Sequence, residues 1–346
     1  MDWDKGYSAR YYISILDKDT LRDIDRIELT GGSIKRTSTD LRESADLDCV
    51  DYNTNQEQYI RVWLDAKQDG GSSHTPLFTG IATSPGRDIN GRYVTNSLEC
   101  YSLLKIAQDI LLPRGWYAPA EMSGESLLRM LLEPVRAKLD IAENAPSLSQ
   151  AIIAEDGENN LSMIDKILSA INWRMKLDGY GNIIIGPEAY MIDQRDDSIA
   201  VRSLSGRFGA LDNDILEPSL TITYDWFGCP NVFRAVMDDS AAVARDEDEK
   251  SIYSIKNRGR EIWAEETDCQ LNDNETLAEY AFRRLKELQR VSTNISYDRR
   301  YMPDIYPSDI VELNYPAQNI QGNYYITSQS ITLGYNAKTS EEVIEI

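Results

Sequence analysis

The sequence predicts an α+β fold that is mainly β. It holds two barrel-like units, at 1–115 and 189–346, with a small helix-plus-hairpin insert at 116–188 between them. Three observations predict this. Short segments of alternating apolar and polar residues, cut by Gly-containing turns, crowd both ends of the 346-residue chain. A block of helical periodicity interrupts them near the middle. Each end also carries one helix beside its strands, at 103–112 and at 276–290.

In the first unit RYYISIL (10–16) reads as a strand, and RIELTGGSIKRTS (26–38) as strand, Gly31-Gly32 turn, strand. ADLDCVDY (45–52) and YIRVWLDA (59–66) alternate as half-buried strands do. PLFTGIATSPGRDINGRYVTNSLECYS (76–102) gives two strands around an Asn90-Gly91 turn, and LLKIAQDILL (103–112) a helix that closes the unit before Pro113.

The insert changes period. Leu127, Leu128, Leu131 and Leu132 share one helical face before Pro134 interrupts. In NNLSMIDKILSAIN (159–172) Asn159 or Asn160 caps a helix whose stripe is Leu161, Ile164, Leu168 and Ile171. WRMKLDGYGNIIIGP (173–187) then reads as a hairpin turning at Asp178-Gly179.

In the second unit SLTITYDW (219–226), VFRAVM (232–237) and SIYSIKN (251–257) are expected strands. The following helix has the capping-box spacing Thr276/Glu279, with Asn274 as the alternative cap, and the stripe Leu277, Ala281, Leu285, Leu288. The end, IYPSDIVELNYPAQNIQGNYYITSQSITLGY (305–335), alternates as a hairpin, with a Pro307-Ser308-Asp309 turn and Gly322 restarting the second strand. The two ends thus resemble two versions of one unit, without repeating in residue identity.

Composition narrows function. No apolar run of about 18 residues is present, so no transmembrane helix and no membrane insertion is expected. The beginning, MDWDKGYSARYYISIL, carries acids and no apolar h-region, and reads as that of a chain made and folded in a cytoplasm. Cys49, Cys100, Cys229 and Cys269 lie far apart, form no CxxC, and read as buried small hydrophobes. The single histidine, His74, lies in QDGGSSHTP, which reads as a solvated loop tip, so neither a histidine metal site nor a Ser-His-Asp triad is expected. A net charge of −21 repels phosphates, which argues against sequence-specific nucleic-acid binding. The densest acidic run, DDSAAVARDEDEK (238–250), reads as a solvated loop. There is no GxxxxGK[ST] and no GxSxG.

Chemistry would have to come from a carboxylate pair, and among 57 acids none stands out. No catalytic, cofactor-binding or metal-ligating residue is predicted. The distinctive feature is 20 Tyr, 6 Trp and 5 Phe, often in or beside strands, where they suit interfaces as well as cores. The interface candidates are Trp226 and Phe227, beside a Gly-Cys-Pro turn, with Tyr324 and Tyr325 in the last hairpin.

IELTGGSIKRTSTDLRESADL and PLFTGIATSPGRDINGRYVTNSLECYSLLKIAQD resemble the N-terminal barrel of phage tail baseplate hub proteins. LSMIDKILSAINWRMKLDGYGNIIIGP is similar to the helix-plus-hairpin insert of those hubs. LAEYAFRRLKEL, PSDIVELNY and GNYYITSQSITL resemble their end. The likeness covers nearly the whole chain, in element order and in loose positions such as Gly32, Gly80, Gly179, Asp309 and Gly322.

The resemblance implies two tail-tube-like β-barrel domains per chain. It implies a homotrimeric ring of pseudo-six-fold symmetry that joins a hexameric tail tube, or distal tail protein, to a trimeric central spike. Such a ring lines the channel used by DNA or a tape-measure protein and sits in the virion tail baseplate. It belongs equally to contractile tails, long non-contractile tails and phage-derived injection particles. The end at Ile346 fits either a short contractile-type hub or a longer natural chain. The alternatives are a carboxylate-based peptidoglycan hydrolase and a receptor- or carbohydrate-binding tail module.

Overall fold

The computed structural model describes residues 1–3, 6–50, 52, 55–91, 93–187, 202–205, 216–237, 240–267, 269, 271, 275–290, 293–303, 305–315, 320–334 and 337–345. Six strands come first: β1 (Ser8–Leu16), β2 (Asp23–Thr37), β3 (Glu43–Cys49), β4 (Gln58–Gln68), β5 (Gly71–Asn90) and β6 (Tyr93–Ser102). They pair in the order β1-β4-β5-β6-β3-β2, and β2 returns to β1, so the sheet closes into a barrel. Alternation drives the closure: Ile13, Ile34, Leu47, Ile60, Leu64 and Leu98 turn inward and are buried in one core.

Two expectations fail here, the turn at Gly31-Gly32 and the loop around His74. Gly31-Gly32 lies inside β2, at a shift in the β2–β3 register. A side chain on Gly32 would run into the Asp46 carbonyl oxygen, and its φ is +137°. The strand changes partner at this bulge. Residues Asp23–Glu28 pair with β1, whereas Gly32–Thr37 pair with a strand from the far end of the chain. Likewise Asp69-Gly70 forms the tight turn from β4 to β5, and His74 lies within β5 rather than in a loop. Its ring stacks on Trp63 with centroids 4.1 Å apart, and Nδ1 lies 2.6 Å from Asp65 Oδ1.

α1 (Lys105–Asp109) follows, and then β7 (Tyr117–Ala118), α2 (Gly124–Leu132), a 3₁₀ turn around Pro134, β8 (Leu139–Ile141), β9 (Ile152–Ile153), α3 (Asn160–Ala170), β10 (Arg174–Leu177) and β11 (Ile183–Gly186). Asn159 caps α3, its side chain accepting from Ser162 N at 2.9 Å. The stripes of α2 and α3 bury in one core with Leu103, Leu104 and Ala107 around α1. The hairpin turn between β10 and β11 seats on the first barrel: Thr79 Oγ1 donates to Gly179 O at 2.8 Å, and a side chain on Gly179 would strike the Pro76 carbonyl.

The last part contains β12 (Arg202–Ser205), β13 (Leu216–Tyr224), β14 (Val232–Met237), β15 (Ser240–Arg245), α4 (Ile255–Arg258), β16 (Trp263–Thr267), α5 (Leu277–Arg290), β17 (Thr293–Arg299), β18 (Ile310–Tyr315), β19 (Ile320–Leu333) and β20 (Thr339–Glu345). β15-β14-β16 is a separate sheet with α5 packed on it. The capping box forms: Glu279 N donates to Thr276 Oγ1 at 3.3 Å and Thr276 N to Glu279 Oε2 at 2.8 Å. Asn274, Asp238 and Asp239 lie outside the described residues.

Two further expectations are corrected. Ser240–Arg245 is strand rather than loop, because SAAVAR pairs with β14. SIYSIKN is not a strand: Ser254 caps the short α4, accepting from Asn257 N, and Gly259 ends that helix at φ +66°. The slot beside β14 is taken by β16 instead. The helices at the two ends also hold different places, since α1 packs on α3 and α5 on β14 and β15.

β12, β13, β17, β18, β19 and β20 pair in the order β12-β18-β19-β20-β17-β13. Numbered one to six by position in the chain, this order is 1-4-5-6-3-2, which is also the order in the first barrel. The match extends to detail. Thr83 in β5 and Thr327 in β19 each sit at a register shift against the next strand, and each hydroxyl donates to a glutamate carbonyl, Glu99 O at 3.2 Å and Glu342 O at 3.1 Å. One pairing differs in sense: β12 runs parallel to β18, whereas β1 runs antiparallel to β4. The β14–β16 sheet with α4 and α5 is inserted between the second and third strands of the later set.

Candidate assembly surfaces

The two six-stranded sets are joined by β2 and β19, antiparallel from Gly32↔Leu333 to Thr37↔Ser328. Ile34, Ile331 and Leu333 bury on one face of this seam. On the same strands Arg36 and Gln329 stand opposite each other, both 1% exposed. Arg36 Nη1 donates to Gln329 Oε1 at 3.0 Å, Nη2 donates to Leu77 O, and the guanidinium lies over the Tyr306 ring at 4.4 Å. Gln329 Nε2 donates to Glu341 Oε1 at 2.7 Å. Arg299 grips that carboxylate with two bonds, Nε to Oε2 at 2.8 Å and Nη2 to Oε1 at 2.5 Å. Tyr297 OH completes it at 2.8 Å. The chain of polar groups thus runs from β2 through β19 into β20 and β17.

Glu43, on β3, lies 2.9 Å from Arg36 Nε. Burial pushes its carboxyl up to about 8, with Arg36 pulling against that shift and Asp178 adding to it. Each of these two buried carboxyl groups stands against an arginine, Glu43 against Arg36 and Glu341 against Arg299. A groove of about 500 Å³ lies over the seam; Arg36, Gln329 and Glu341 line it together with small polar side chains such as Thr37, Ser219, Thr221 and Ser296.

The four predicted interface residues separate. Trp226 and Phe227 are exposed at the β13–β14 turn, Phe227 by 86%. That turn is fixed: Asp225 Oδ1 accepts from Phe227 N at 2.9 Å and Gly228 N at 2.8 Å, and Arg258 donates to Cys229 O at 2.7 Å and to Trp226 O. Trp226 stacks on Tyr224 with centroids 6.0 Å apart. Tyr324 is 5% exposed, in the core with Tyr297, Val311 and Ile326. Its strand position alternates inward, as tyrosines do in a thick sheet core. Tyr325 is half-buried, opposite Ile310 and Ile344.

Sequence reasoning missed two strand edges. Among the described residues β13 pairs on one side only, with β17, and the β5 arm Ser84–Asn90 pairs on one side only, with β6. Each edge carries exposed apolar side chains: Ile222 and Tyr224 on β13, Ile89 on the arm. The available signal was apolar residues at alternate positions of one strand, Leu220, Ile222 and Tyr224.

Among the described residues no group of three His, Cys, Asp or Glu is placed to hold a metal ion, and the four cysteines are buried thiols. No described helix is long and apolar enough to cross a membrane.

No family model matches this sequence, and no curated protein matches it. Solved structures do. A tail protein from Neisseria meningitidis MC58 superposes with a TM-score of 0.69 over 97% of each chain at 15% identity. The chain has the fold of phage tail proteins. A 43 kDa tail protein of prophage MuSo2 from Shewanella oneidensis gives 0.67 over 98% of each chain at 14% identity. An E. coli protein, c3393, is described as a type VI secretion component with structural similarity to the T4 tail proteins gp27 and gp5. It gives 0.52 at 9% identity, over 96% of this chain and 76% of its own. The fold is thus shared at 9–15% residue identity.

Proposed function

We propose that this chain is a structural baseplate hub of a phage tail or phage-derived injection particle. Its units are a first barrel at 1–115, an insert at 116–188 and a second barrel-like domain at 189–346. Three copies form a ring in which six similar units face a hexameric tube or distal tail protein, while the three-fold symmetry matches a trimeric spike. The ring lines the channel through which DNA or a tape-measure protein passes, within the virion tail. The role is mechanical rather than catalytic: the buried carboxylates are held by arginines.

The observation that carries this reading is the repeated strand order 1-4-5-6-3-2. A three-fold object can meet a six-fold one only if each chain offers two equivalent units. Light scattering of the purified chain, alone and with its spike, tests it. A trimer with a central hole in negative-stain images is expected; a monomer under all conditions overturns the reading.

A further inference from the structure

We infer that the open edge of β13 in one copy pairs antiparallel with the β5 arm of the next copy, with Ile222 opposite Arg87. This rests on the ring reading above and supplies its contact. The seam inside the chain joins the second strand of the first unit, β2, to the fifth strand of the second unit, β19. The unused reciprocal combination is the second strand of the second unit, β13, and the fifth strand of the first, β5. Among the described residues those are the two strands with an open edge at the corresponding place.

The register follows from pairings within the chain. Ala82 opposes Cys100 and Ile326 opposes Val343, while Ser84 opposes Glu99 and Ser328 opposes Glu342, so β5 and β19 align with Arg87 at the place of Ile331. Ile34 opposes Ala45, which opposes Cys100; Ile222 opposes Ile295, which opposes Val343. Ile222 therefore stands where Ile34 stands. Inside the chain Ile34 opposes Ile331. Between copies the same geometry sets Ile222 against Arg87, Leu220 against Ile89 and Tyr224 against Pro85.

Burial agrees. At the internal seam Ile34, Ile331 and Leu333 are 0%, 1% and 4% exposed, whereas Ile222 and Ile89 are 40% and 67% exposed. The opposite face is small and polar in both places: Ser33 and Thr332 in the seam, Thr221 and Asp88 between copies. Open strand edges with apolar side chains template pairing, and this pairing is head-to-tail, so it generates a ring when the rotation closes. The occupant is a second copy of this chain because the complementary edge is its own.

Cysteine trapping tests the pairing. The double variant Arg87→Cys with Ile222→Cys, both at exposed sites, is oxidised in the full chain and run without reductant, beside native mass spectrometry of the unmodified protein. Directly opposed residues share a face, so disulfide-linked dimers and trimers are expected, ending at trimer. Asp88→Cys with Ile222→Cys, one residue out of register and on opposite faces, is expected to stay uncrosslinked. The native thiols are buried. A trimeric native mass without crosslinking overturns the pairing and leaves the ring reading standing. A monomer without crosslinking overturns both. A ladder running past trimer supports the edge pairing and overturns closure at three. Equal crosslinking of both variants overturns the register.

Discussion

Arg299 and Glu341 form a two-bond ion pair that is 0% exposed on both sides, between β17 and β20, and Gln329 ties it to Arg36 across the seam. The joint between the two units is therefore held by charge and geometry as well as by Ile34 and Ile331. Burying the pair costs desolvation that only well-directed bonds offset, so its value shows when one partner is removed.

Arg299→Met leaves Glu341 buried and unpaired, and is expected to destabilise the chain by about 3–5 kcal/mol. Arg299→Met with Glu341→Leu is expected to recover a large part of that loss. Urea unfolding of the single and double variants measures both. A single variant costing no more than a surface ion pair contradicts the assignment.

Gly32→Ala is expected to destabilise by about 1–3 kcal/mol, because φ is +137° and the new methyl meets the Asp46 carbonyl. Gly70→Ala, at φ +91° with open space around the site, carries the backbone strain without the collision, and is expected to cost less. Thermal unfolding of the two variants makes the comparison; equal losses would show that the β2 bulge is not sterically required.

Glu43 carries a pH dependence. Its native carboxyl is pushed up to about 8 from an ordinary 4.5, so the unfolded chain releases this proton first as pH rises. The contribution is full below about 4.5 and is lost through about 8, at no more than about 1.4 kcal/mol per pH unit. Glu43→Gln removes this titration. Stability of the wild type relative to Glu43→Gln is expected to fall between pH 5 and 8; a flat difference would contradict it.

Phe227→Ser lies on a turn already fixed by Asp225 and Arg258, and is expected to change stability by less than about 0.5 kcal/mol. As an interface residue it is expected to weaken co-assembly with the tube or spike component in a pull-down. Unchanged co-assembly would remove this turn from the docking surface.

Local signals were legible in the sequence and distant ones were not. The caps at Asn159 and Thr276, the leucine stripe of α2, and the hairpin turns at Asn90-Gly91 and Asp178-Gly179 depend on neighbours a few residues away. Gly31-Gly32 misled because a bulge and a turn demand the same conformational freedom, and only the approach of Asp46 tells them apart. SAAVAR looked like a solvated run because its acidic neighbours dominate, yet β14 pairs with it. Tyr324 and Tyr325 show the limit for the candidate surface: adjacent tyrosines differ only in which face of β19 they occupy, and pairing with β18 and β20 sets that. The open edges of β13 and the β5 arm depend on the whole strand order, so no local window reveals them.

The central claim is that two equivalent units per chain build a three-chain ring, and native mass spectrometry of the unmodified protein, with its spike partner titrated in, tests it most directly. The account predicts a species of three chains that persists as concentration falls, accompanied by six similar lobes around a hole in class-averaged images. A monomer at every concentration and partner ratio, or a closed dimer, would contradict it.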